Sequence, residues 1–283
     1  MFTKIFCCFN GNDRESFYKR QKIIGAGSFG TVVSAYDEHN QKIAIKHSHP
    51  NVYSMTMLMN EYRILKMLDH PNIIKPVKLD TEEITSSILP YFNATMSMVM
   101  PYYKTDVLDY VNDNGHLDDQ DVKMFIKAIA NALKHAHDKN IVHLDIKPEN
   151  ILMNNFSTFV LADWGGSKFE NKIKQSTLSG TEMYAAPELF SNWELKTKNK
   201  IGKPVDVYSL GATAYMLMTS LPITDRTGDK KYIPTQADND TMVKKLHCSS
   251  MLKNLLIGML QVDPEKRMTV DDVLKHPFLN SHR

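Results

Sequence analysis

The stretch His143-Leu144-Asp145-Ile146-Lys147-Pro148-Glu149-Asn150, followed by Asp163-Trp164-Gly165, decides the fold of this 283-residue chain. Asp145 and Asn150 are an acid and an amide separated by four residues, and Asp163 adds a second acid. One carboxylate of this set is suited to orienting a nucleophile. The amide and the other carboxylate offer the oxygen ligands that Mg²⁺ prefers. The spacing therefore predicts a site suited to phosphoryl transfer, where catalysis rests on positioning and charge neutralisation.

The composition is typical of a globular protein. Hydrophobic residues make up 42% of the chain, charged residues 23%, and the formal net charge is +2. Since no long block of Lys or Arg is present, we expect no nucleic-acid partner. Three cysteines are too few for a disulfide framework and favour a reducing compartment, and no apolar run reaches the length of a membrane span. We expect a cytoplasmic protein, with the nucleus as the alternative, and the sequence leaves its oligomeric state open.

The chain begins with a predicted short extension, residues 1–16, whose adjacent Cys7 and Cys8 fit either a frayed terminus or a site of acylation. From Phe17 to Lys46, the β-branched, glycine-punctuated pattern predicts strand, turn, strand and strand. Inside that pattern lies a G-x-G-x-x-G motif made of Gly25, Ala26, Gly27, Ser28, Phe29 and Gly30.

The same glycine motif occurs in dinucleotide-binding folds, where it leads into the helix of a βαβ unit. Here Val32 and the residues after it continue as a strand, so the motif predicts a hairpin. Glycines let such a hairpin bring its backbone amides close to phosphates, with no Cβ in the way. No series of βαβ units follows, which excludes a dinucleotide-dependent oxidoreductase.

Apolar periodicity places the remaining elements. Residues 43–46 predict a buried strand that ends in the cation of Lys46. A helix is predicted from Met55 to Leu68, and further strands from Ile73 to Leu79 and from Met96 to Met100. The segment from Asp118 to Lys139 predicts a helix with one buried face, formed by Val122, Phe125, Ile126, Ile129, Leu133 and Ala136.

In this order the motifs resemble those of a eukaryotic-type serine/threonine protein kinase catalytic domain, over roughly residues 17 to 280. Two motifs are variants, because Leu144 replaces the usual Arg of His-Arg-Asp and Trp164 replaces the usual Phe of Asp-Phe-Gly. The resemblance implies an α+β, bilobal fold. A small antiparallel sheet with one main helix (about 17–100) is joined by a hinge (about 101–106) to a larger, mostly helical lobe (about 107–280).

The resemblance also implies roles in catalysis. Asp145 would accept or orient the proton of the substrate hydroxyl, and Lys147 would neutralise charge on the moving phosphoryl group. Asn150 and Asp163 would ligate Mg²⁺. Thr181, together with Lys147, is the family pattern for protein substrates phosphorylated on serine or threonine.

For the nucleotide, the resemblance implies that Lys46 contacts the α- and β-phosphates of ATP and that Glu61, on the predicted helix, holds Lys46 in place. Adenine would bond to backbone groups near Pro101. The side chains and loop residues expected around the nucleotide are Gly25, Ala26, Gly27, Ser28, Phe29, Gly30, Val32, Ala44, Met100, Tyr102 and Leu152.

Three contacts are expected to be structural. His143 would pack against Trp164, which as an apolar plug is compatible with activity. Asp206 would brace the backbone of the catalytic loop. Glu188 would form a buried pair with Arg267, whose loss would leave a charge unpaired.

Leu144 has a consequence for regulation, because the Arg usually found at its place pairs with a phosphorylated residue of the activation segment. We therefore expect activity to be independent of phosphorylation at Ser176, Thr177 or Ser179. Glu149 hints at a preference for basic substrates. Asp106 fits a contact with the ribose, a contact with a basic substrate residue, or the start of the next helix.

Two other functions are compatible with this fold. An ATP-binding pseudokinase or scaffold would lack catalytic groups, whereas Lys46, Asp145, Asn150 and Asp163 are all present. A small-molecule phosphotransferase of related fold would lack the peptide platform from Thr181 to Glu188 and the motif around Arg267.

Overall fold

The computed structural model describes residues 19–27, 30–83, 94–156, 158–173, 181–194, 201–223 and 234–281. The predicted extension, residues 1–16, lies outside them. The N-terminal layer contains the strands β1 (Lys19–Gly27), β2 (Gly30–Tyr36), β3 (Lys42–Ser48), β4 (Lys78–Glu83) and β5 (Ala94–Pro101). They form one antiparallel sheet in the order β1-β2-β3-β5-β4. The three strands predicted between Phe17 and Lys46 are confirmed for the described residues.

Helix α1 (Val52–Met67) follows β3 and begins earlier than the predicted Met55. The Asn51 side chain caps it by accepting a hydrogen bond from the Ser54 backbone N–H, with an N–O distance of 2.8 Å. Asn is among the residues that satisfy the unpaired donors of a first helical turn, so this cap explains the earlier start. The helix buries Leu58 and Leu65 and, between them, the charged Glu61.

The strand predicted from Ile73 to Leu79 is wrong in position, because the paired ladder of β4 begins at Lys78. Ile73 and Ile74 are almost fully buried. Ile73 forms an isolated parallel bridge with Leu161, and the Ile74 N–H donates to the Leu161 carbonyl at 3.0 Å. These two apolar residues therefore join the sheet layer to the C-terminal layer. Strand β5, in contrast, contains the predicted strand from Met96 to Met100.

The C-terminal layer is mostly helical. Its helices are α2 (Val107–Asn114), α3 (Asp119–Asp138), α4 (Pro187–Glu194), α5 (Pro204–Thr219), α6 (Gln236–Lys244), α7 (Ser250–Met259), α8 (Val270–Lys275) and α9 (Pro277–Asn280). The described part of this layer also contains short strands: β6 (Thr105–Asp106), β7 (Ile141–Val142), β8 (Ile151–Met153), β9 (Phe159–Leu161) and β10 (Lys168–Phe169). In the described ranges, none of the helices is long and apolar enough to cross a bilayer.

The C-terminal core is built around α3 and α5. All six residues predicted for the buried face of α3 have no exposed surface, which confirms that prediction. Residues 205–215 of α5 are all buried. A helix that is buried on every side lies at the centre of its layer. Helix α5 therefore provides a fixed support for the loops that pack on it.

A buried ion pair ties α4 to the loop before α8. The guanidinium of Arg267 donates to both carboxylate oxygens of Glu188, at 2.7 Å and 2.9 Å. The side chains are 0% and 2% exposed, respectively, so solvent does not screen the pair. Arg267 also donates to three backbone carbonyls, those of Pro204, Gln261 and Val262. The predicted pair is present.

Replacing Arg267 with methionine should leave the Glu188 carboxylate buried without a cation. We expect the free energy of unfolding to fall by about 3–5 kcal/mol, measured by urea denaturation. The matched control is Lys266→Met, which removes a neighbouring lysine that is 75% exposed in its pair with Asp263. That change should alter the free energy by less than about 1 kcal/mol, and equal effects of the two variants would contradict the prediction.

Candidate active site

An ion triad joins the two layers. The Lys46 ammonium, on β3, lies 2.7 Å from Glu61 Oε2 on α1 and 2.8 Å from Asp163 Oδ1 after β9. Glu61 is 3% exposed and Lys46 17% exposed, whereas the Asp163 side chain is 46% exposed. The predicted contact between Lys46 and Glu61 is therefore present, and Asp163 offers a carboxylate that solvent and ligands can reach.

Burial and charge act in opposite directions on the triad. Burial works to lower the pKa of Lys46, but the charges of Glu61 and Asp163 raise that pKa above its usual range. Burial works to raise the pKa of Asp163, but Lys46 holds it below its usual range. Burial raises the pKa of Glu61, and Lys46 opposes that shift only in part. Lys46 thus favours the ionised form of both carboxylates, and its effect exceeds that of burial for Asp163 but not for Glu61.

Asp163 is presented by a turn that a buried tryptophan fixes. Its backbone is left-handed, with φ of 55°, and a short 3₁₀ turn, Trp164–Gly166, follows it. Trp164 has no exposed surface, and its Nε1 donates to the Leu161 carbonyl at 3.2 Å. Its ring meets that of His143 edge to face, with centroids 4.6 Å apart. The predicted packing of these two rings is present.

Asp206, at the start of α5, holds the backbone before Asp145. Its carboxylate accepts the N–H groups of His143 and Leu144, each at 2.9 Å, and the Nε2–H of His137 at 2.8 Å. Asp206 has no exposed surface, and these three donors satisfy the buried charge. Leu144 adopts a left-handed backbone with φ of 72°, and its side chain is buried. The predicted brace is present.

Sequence reasoning missed His137 as a partner of Asp206. The sequence did contain a sign of this contact. His137 lies on the apolar face of α3, one helical turn after Leu133, where a polar side chain needs a buried partner.

Around Asp145 the structure brings together the residues predicted for catalysis. The Thr181 N–H donates to Asp145 Oδ1 at 2.9 Å, and the Thr181 hydroxyl lies 3.1 Å from the same oxygen. Lys147 Nζ donates to the Thr181 hydroxyl at 2.8 Å and lies 3.2 Å from Asp145 Oδ2. The amide of Asn150 donates to the Asp145 carbonyl at 2.8 Å and to Oδ2 at 3.2 Å. The ammonium of Lys147 and the carboxylate of Asp145, which Thr181 holds in place, therefore lie next to each other in the site.

Asn150 and Asp163 are joined through the backbone, because the Ala162 N–H donates to the Asn150 carbonyl at 2.8 Å. No group of three or more His, Cys, Asp or Glu side chains that would hold a metal occurs in the described part of the chain. The donor set of one amide oxygen and one accessible carboxylate fits Mg²⁺, which usually takes one or two protein ligands and completes its shell with phosphate and water oxygens.

The predicted phosphate loop is a hairpin. Gly25 pairs with Val32, Ala26 with Thr31 and Gly27 with Gly30. A Cβ on Gly30 would lie 1.9 Å from the His47 carbonyl oxygen, so only glycine allows β2 to approach β3 there. Ser28 and Phe29 lie outside the described residues.

The predicted adenine-binding side chains share one apolar cluster. Ala44 and Met100 are buried neighbours on β3 and β5, and Val32 and Leu152 pack, partly buried, against the same cluster. The Tyr102 ring lies under the ammonium of Lys42, 3.9 Å from it, a contact that the sequence did not predict.

Asp106 and Glu149 are the two further acidic residues for which the sequence indicated a role. Asp106 caps α2 by accepting the Asp109 N–H at 2.9 Å, which is one of the three roles considered for it. Burial raises the pKa of Asp106, with contributions from Asp109 and Glu149. Glu149 Oε2 is buried and accepts no hydrogen bond from the described residues.

The comparisons with known proteins agree with this geometry. A family profile described as "Protein kinase domain" matches residues 18–279. The chain is 31% identical to the probable serine/threonine-protein kinase MARK-A of Dictyostelium discoideum over 268 residues, which cover 92% of this chain and 24% of that protein. It is 28% identical to the human serine/threonine-protein kinase ULK1 over 281 residues, which cover 93% and 25% of the two chains, respectively. The chain thus spans about a quarter of the length of these relatives.

Replacing Lys46 with methionine should leave Glu61 buried without its cation. We expect the free energy of unfolding at pH 7 to fall by about 1–3 kcal/mol. The pKa of Glu61 should rise further, because only the hydrogen bond from the Trp164 backbone then opposes burial. A carboxyl group whose pKa is raised by folding binds its proton more tightly in the folded state. The deficit of the variant should therefore shrink as the pH falls from 7 towards the ordinary value of 4.5.

Urea denaturation of the wild type and the variant between about pH 5 and pH 8 measures this deficit. The control is Lys46→Met combined with Glu61→Gln, which removes the buried charge and should recover part of the lost stability at pH 7. A deficit that stays constant with pH would contradict the prediction.

Proposed function

The chain belongs to the protein kinase domain family, and from that premise we propose that it transfers the γ-phosphate of ATP to serine and threonine hydroxyls of protein substrates. The observation that carries this proposal is the contact set of Asp145, in which one carboxylate is fixed by Thr181 and faces the ammonium of Lys147. The family implies ATP as the phosphoryl donor and, typically, Mg²⁺.

In the proposed reaction, Asp145 orients the substrate hydroxyl and accepts its proton as the bond to phosphorus forms. Lys147, 3.2 Å from Asp145 Oδ2, stabilises the negative charge that develops on the transferred group. Lys46 holds the phosphates of the nucleotide, and Glu61 keeps the ammonium in position. Asn150 and Asp163 would hold Mg²⁺, which when bound supplies charge neutralisation.

The selection of serine and threonine is supported by the contact between Lys147 and the Thr181 hydroxyl. Both residues follow the pattern of serine/threonine kinases, and both curated relatives carry that description in their names. An ATP-binding pseudokinase remains the alternative. The complete set of Lys46, Asp145, Asn150 and Asp163, brought into one site, favours the enzyme.

We propose further that the substrates carry basic residues near the phosphorylated hydroxyl. Glu149 Oε2 is buried without a hydrogen-bond partner among the described residues, and leaving such an oxygen unpaired is unfavourable. Glu149 also contributes to raising the pKa of Asp106 and, after burial, that of Tyr184, so its negative charge acts on its neighbours. Glu149 as a whole is only partly buried, so a lysine or arginine side chain of a substrate would pair with the exposed part of this residue and not with Oε2.

The test of the activity is radiolabelled phosphate transfer from Mg-ATP to a generic basic protein by the bacterially expressed chain. We expect label on serine or threonine, and at least a hundredfold loss in Lys46→Met and in Asp163→Asn, because each removes a charge that holds the phosphates or the metal. Label that persists in both variants would come from a contaminant. Stabilisation by ATP without transfer to any substrate would favour the pseudokinase.

We also propose that activity does not require phosphorylation of the activation segment. Leu144 occupies the position of the usual Arg, and its buried apolar side chain offers no cation to a phosphate. A phosphate on the segment would therefore lack the partner through which it orders the loop in relatives that have the Arg.

A triple variant with alanine at Ser176, Thr177 and Ser179 should change kcat/KM by less than about threefold, because Leu144 offers no cation that a phosphate on these residues could bind. All three residues lie outside the described part of the chain. Phosphatase treatment of the wild type should have equally little effect. Thr181→Ala is the control that should show a large loss of kcat/KM, because it removes a hydroxyl bound to Lys147. A change of orders of magnitude in the triple alanine variant would contradict the proposal.

A further inference from the structure

Glu170 occupies an unusual position just after β10. Its backbone N–H donates to the Asn140 carbonyl at 2.8 Å, which continues the pairing of β10 with β7. Its carboxylate points to the start of α5, where Oε1 accepts the Lys203 N–H at 3.4 Å and Oε2 lies 3.7 Å from Lys203 Nζ. Lys203 Nζ in turn donates to the Asn140 side chain at 2.9 Å. Glu170, Lys203 and Asn140 therefore form one connected cluster, which we call the Glu170 clamp.

The clamp places a carboxylate at the start of α5. The N-cap residue, Lys203, makes no side-chain capping hydrogen bond, and its own N–H donates to Glu170 Oε1. A carboxylate near a helix N-terminus is stabilising, because the N–H groups there carry partial positive charge. Glu170 brings that negative charge from a distant part of the chain, and its side chain is only 25% exposed.

Gly202 makes room for the carboxylate. A Cβ on Gly202 would lie 2.5 Å from Glu170 Oε1, and the next two nearest atoms, at 3.4 and 3.6 Å, belong to the same side chain. The close approach of Glu170 to the backbone before α5 therefore depends on glycine at this position. This contact gives a way to displace the carboxylate without removing any charge.

The clamp lies at the same end of α5 as the brace of the catalytic loop. Asp206, which holds the backbone of His143 and Leu144, is in the first turn of α5, and its N–H donates to the Lys203 carbonyl at 3.2 Å. Asn140 lies immediately before β7, the strand that leads into the catalytic loop. Glu170 thus contacts the chain next to both elements that support Asp145: its carboxylate contacts Lys203 at the start of α5, and its backbone N–H contacts Asn140 before β7.

We propose that Glu170 is a positioning residue that fixes the start of the activation segment to α5 through its carboxylate and to β7 through its backbone N–H. This inference rests on the proposed kinase function. Because Glu170 is part of the chain, its carboxylate pairs with Lys203 at the start of α5 without any modification of the protein. The segment is therefore held at one end by the Glu170 clamp and at the other by Thr181 on Asp145, with no phosphate involved.

Three variants of the full chain test the clamp. Gly202→Ala displaces the carboxylate and keeps both charges, Glu170→Gln removes its charge, and Lys203→Met removes the cation. The first readout is amide hydrogen exchange, because the Glu170 N–H is protected by Asn140 only while the clamp is closed. We expect faster exchange in peptides that span residues 168–172 in all three variants.

The second readout is kinetic. We expect kcat/KM for the protein substrate to fall by about tenfold, the range of a lost hydrogen bond to a charged group, while KM for ATP stays within about twofold. Gly202→Ala combined with Glu170→Gln should be no worse than either change alone, because both break the same contact. Lys172→Met, a neighbouring exposed lysine, is the control and should leave both readouts unchanged.

The outcomes separate this inference from the proposed function. Exchange and kcat/KM that stay at wild-type values in Gly202→Ala and Glu170→Gln would overturn the clamp. If kcat/KM, ATP affinity and thermal stability all fell together in these variants, the clamp would also be overturned, because the variants would then be destabilised as a whole. If the wild type transfers no phosphate, the kinase function fails, while the exchange measurement still decides whether the clamp holds the segment.

Discussion

The buried carboxylate of Asp206 is the interaction on which the rest of the site depends. A fully buried charge is tolerated only when donors surround it, and here the donors are two successive backbone N–H groups of the catalytic loop and one imidazole. The loop is therefore held by its backbone and by the buried His143 and Leu144, which leaves the side chains of Asp145 and Lys147 for chemistry. Because α5 is buried on every side, this support moves only with the whole C-terminal core.

The second constraint acts between the layers. Lys46 belongs to the sheet, whereas Asp163 follows a strand of the helical layer, and one ammonium pairs with both Asp163 and Glu61. Because Lys46 and Glu61 both belong to the N-terminal layer, the pair that crosses between the layers is Lys46 with Asp163, and the Asp163 carboxylate would lose its cation if the layers separated. Ile73 and Ile74 make the same junction through apolar burial and the hydrogen bond to Leu161.

Much of this arrangement was predictable from the sequence. Motif spacing identified Asp145 and Asn150, and the resemblance to protein kinases added Lys147 and Thr181. The structure brings these four residues together, and apolar periodicity identified the buried face of α3. The strand from Ile73 to Leu79 was placed wrongly, because an apolar pair shows that a segment is buried but does not show which layer covers it. The contacts of Glu170 with Lys203 and of Lys42 with Tyr102 join residues that no sequence motif connects. Such pairs become visible only when the fold brings the two parts of the chain together.

The buried tryptophan after Asp163 also affects which small molecules this protein will bind. Moving a ring of this size into water would expose roughly 150–250 Å² of surface, which corresponds to about 4–6 kcal/mol. A conformer with the indole expelled is then populated by fewer than about one molecule in a thousand. Any inhibitor that needs the pocket vacated by this ring loses affinity by the same factor. Compounds that accept the tryptophan in place carry no such penalty, so ligand discovery for this chain favours them.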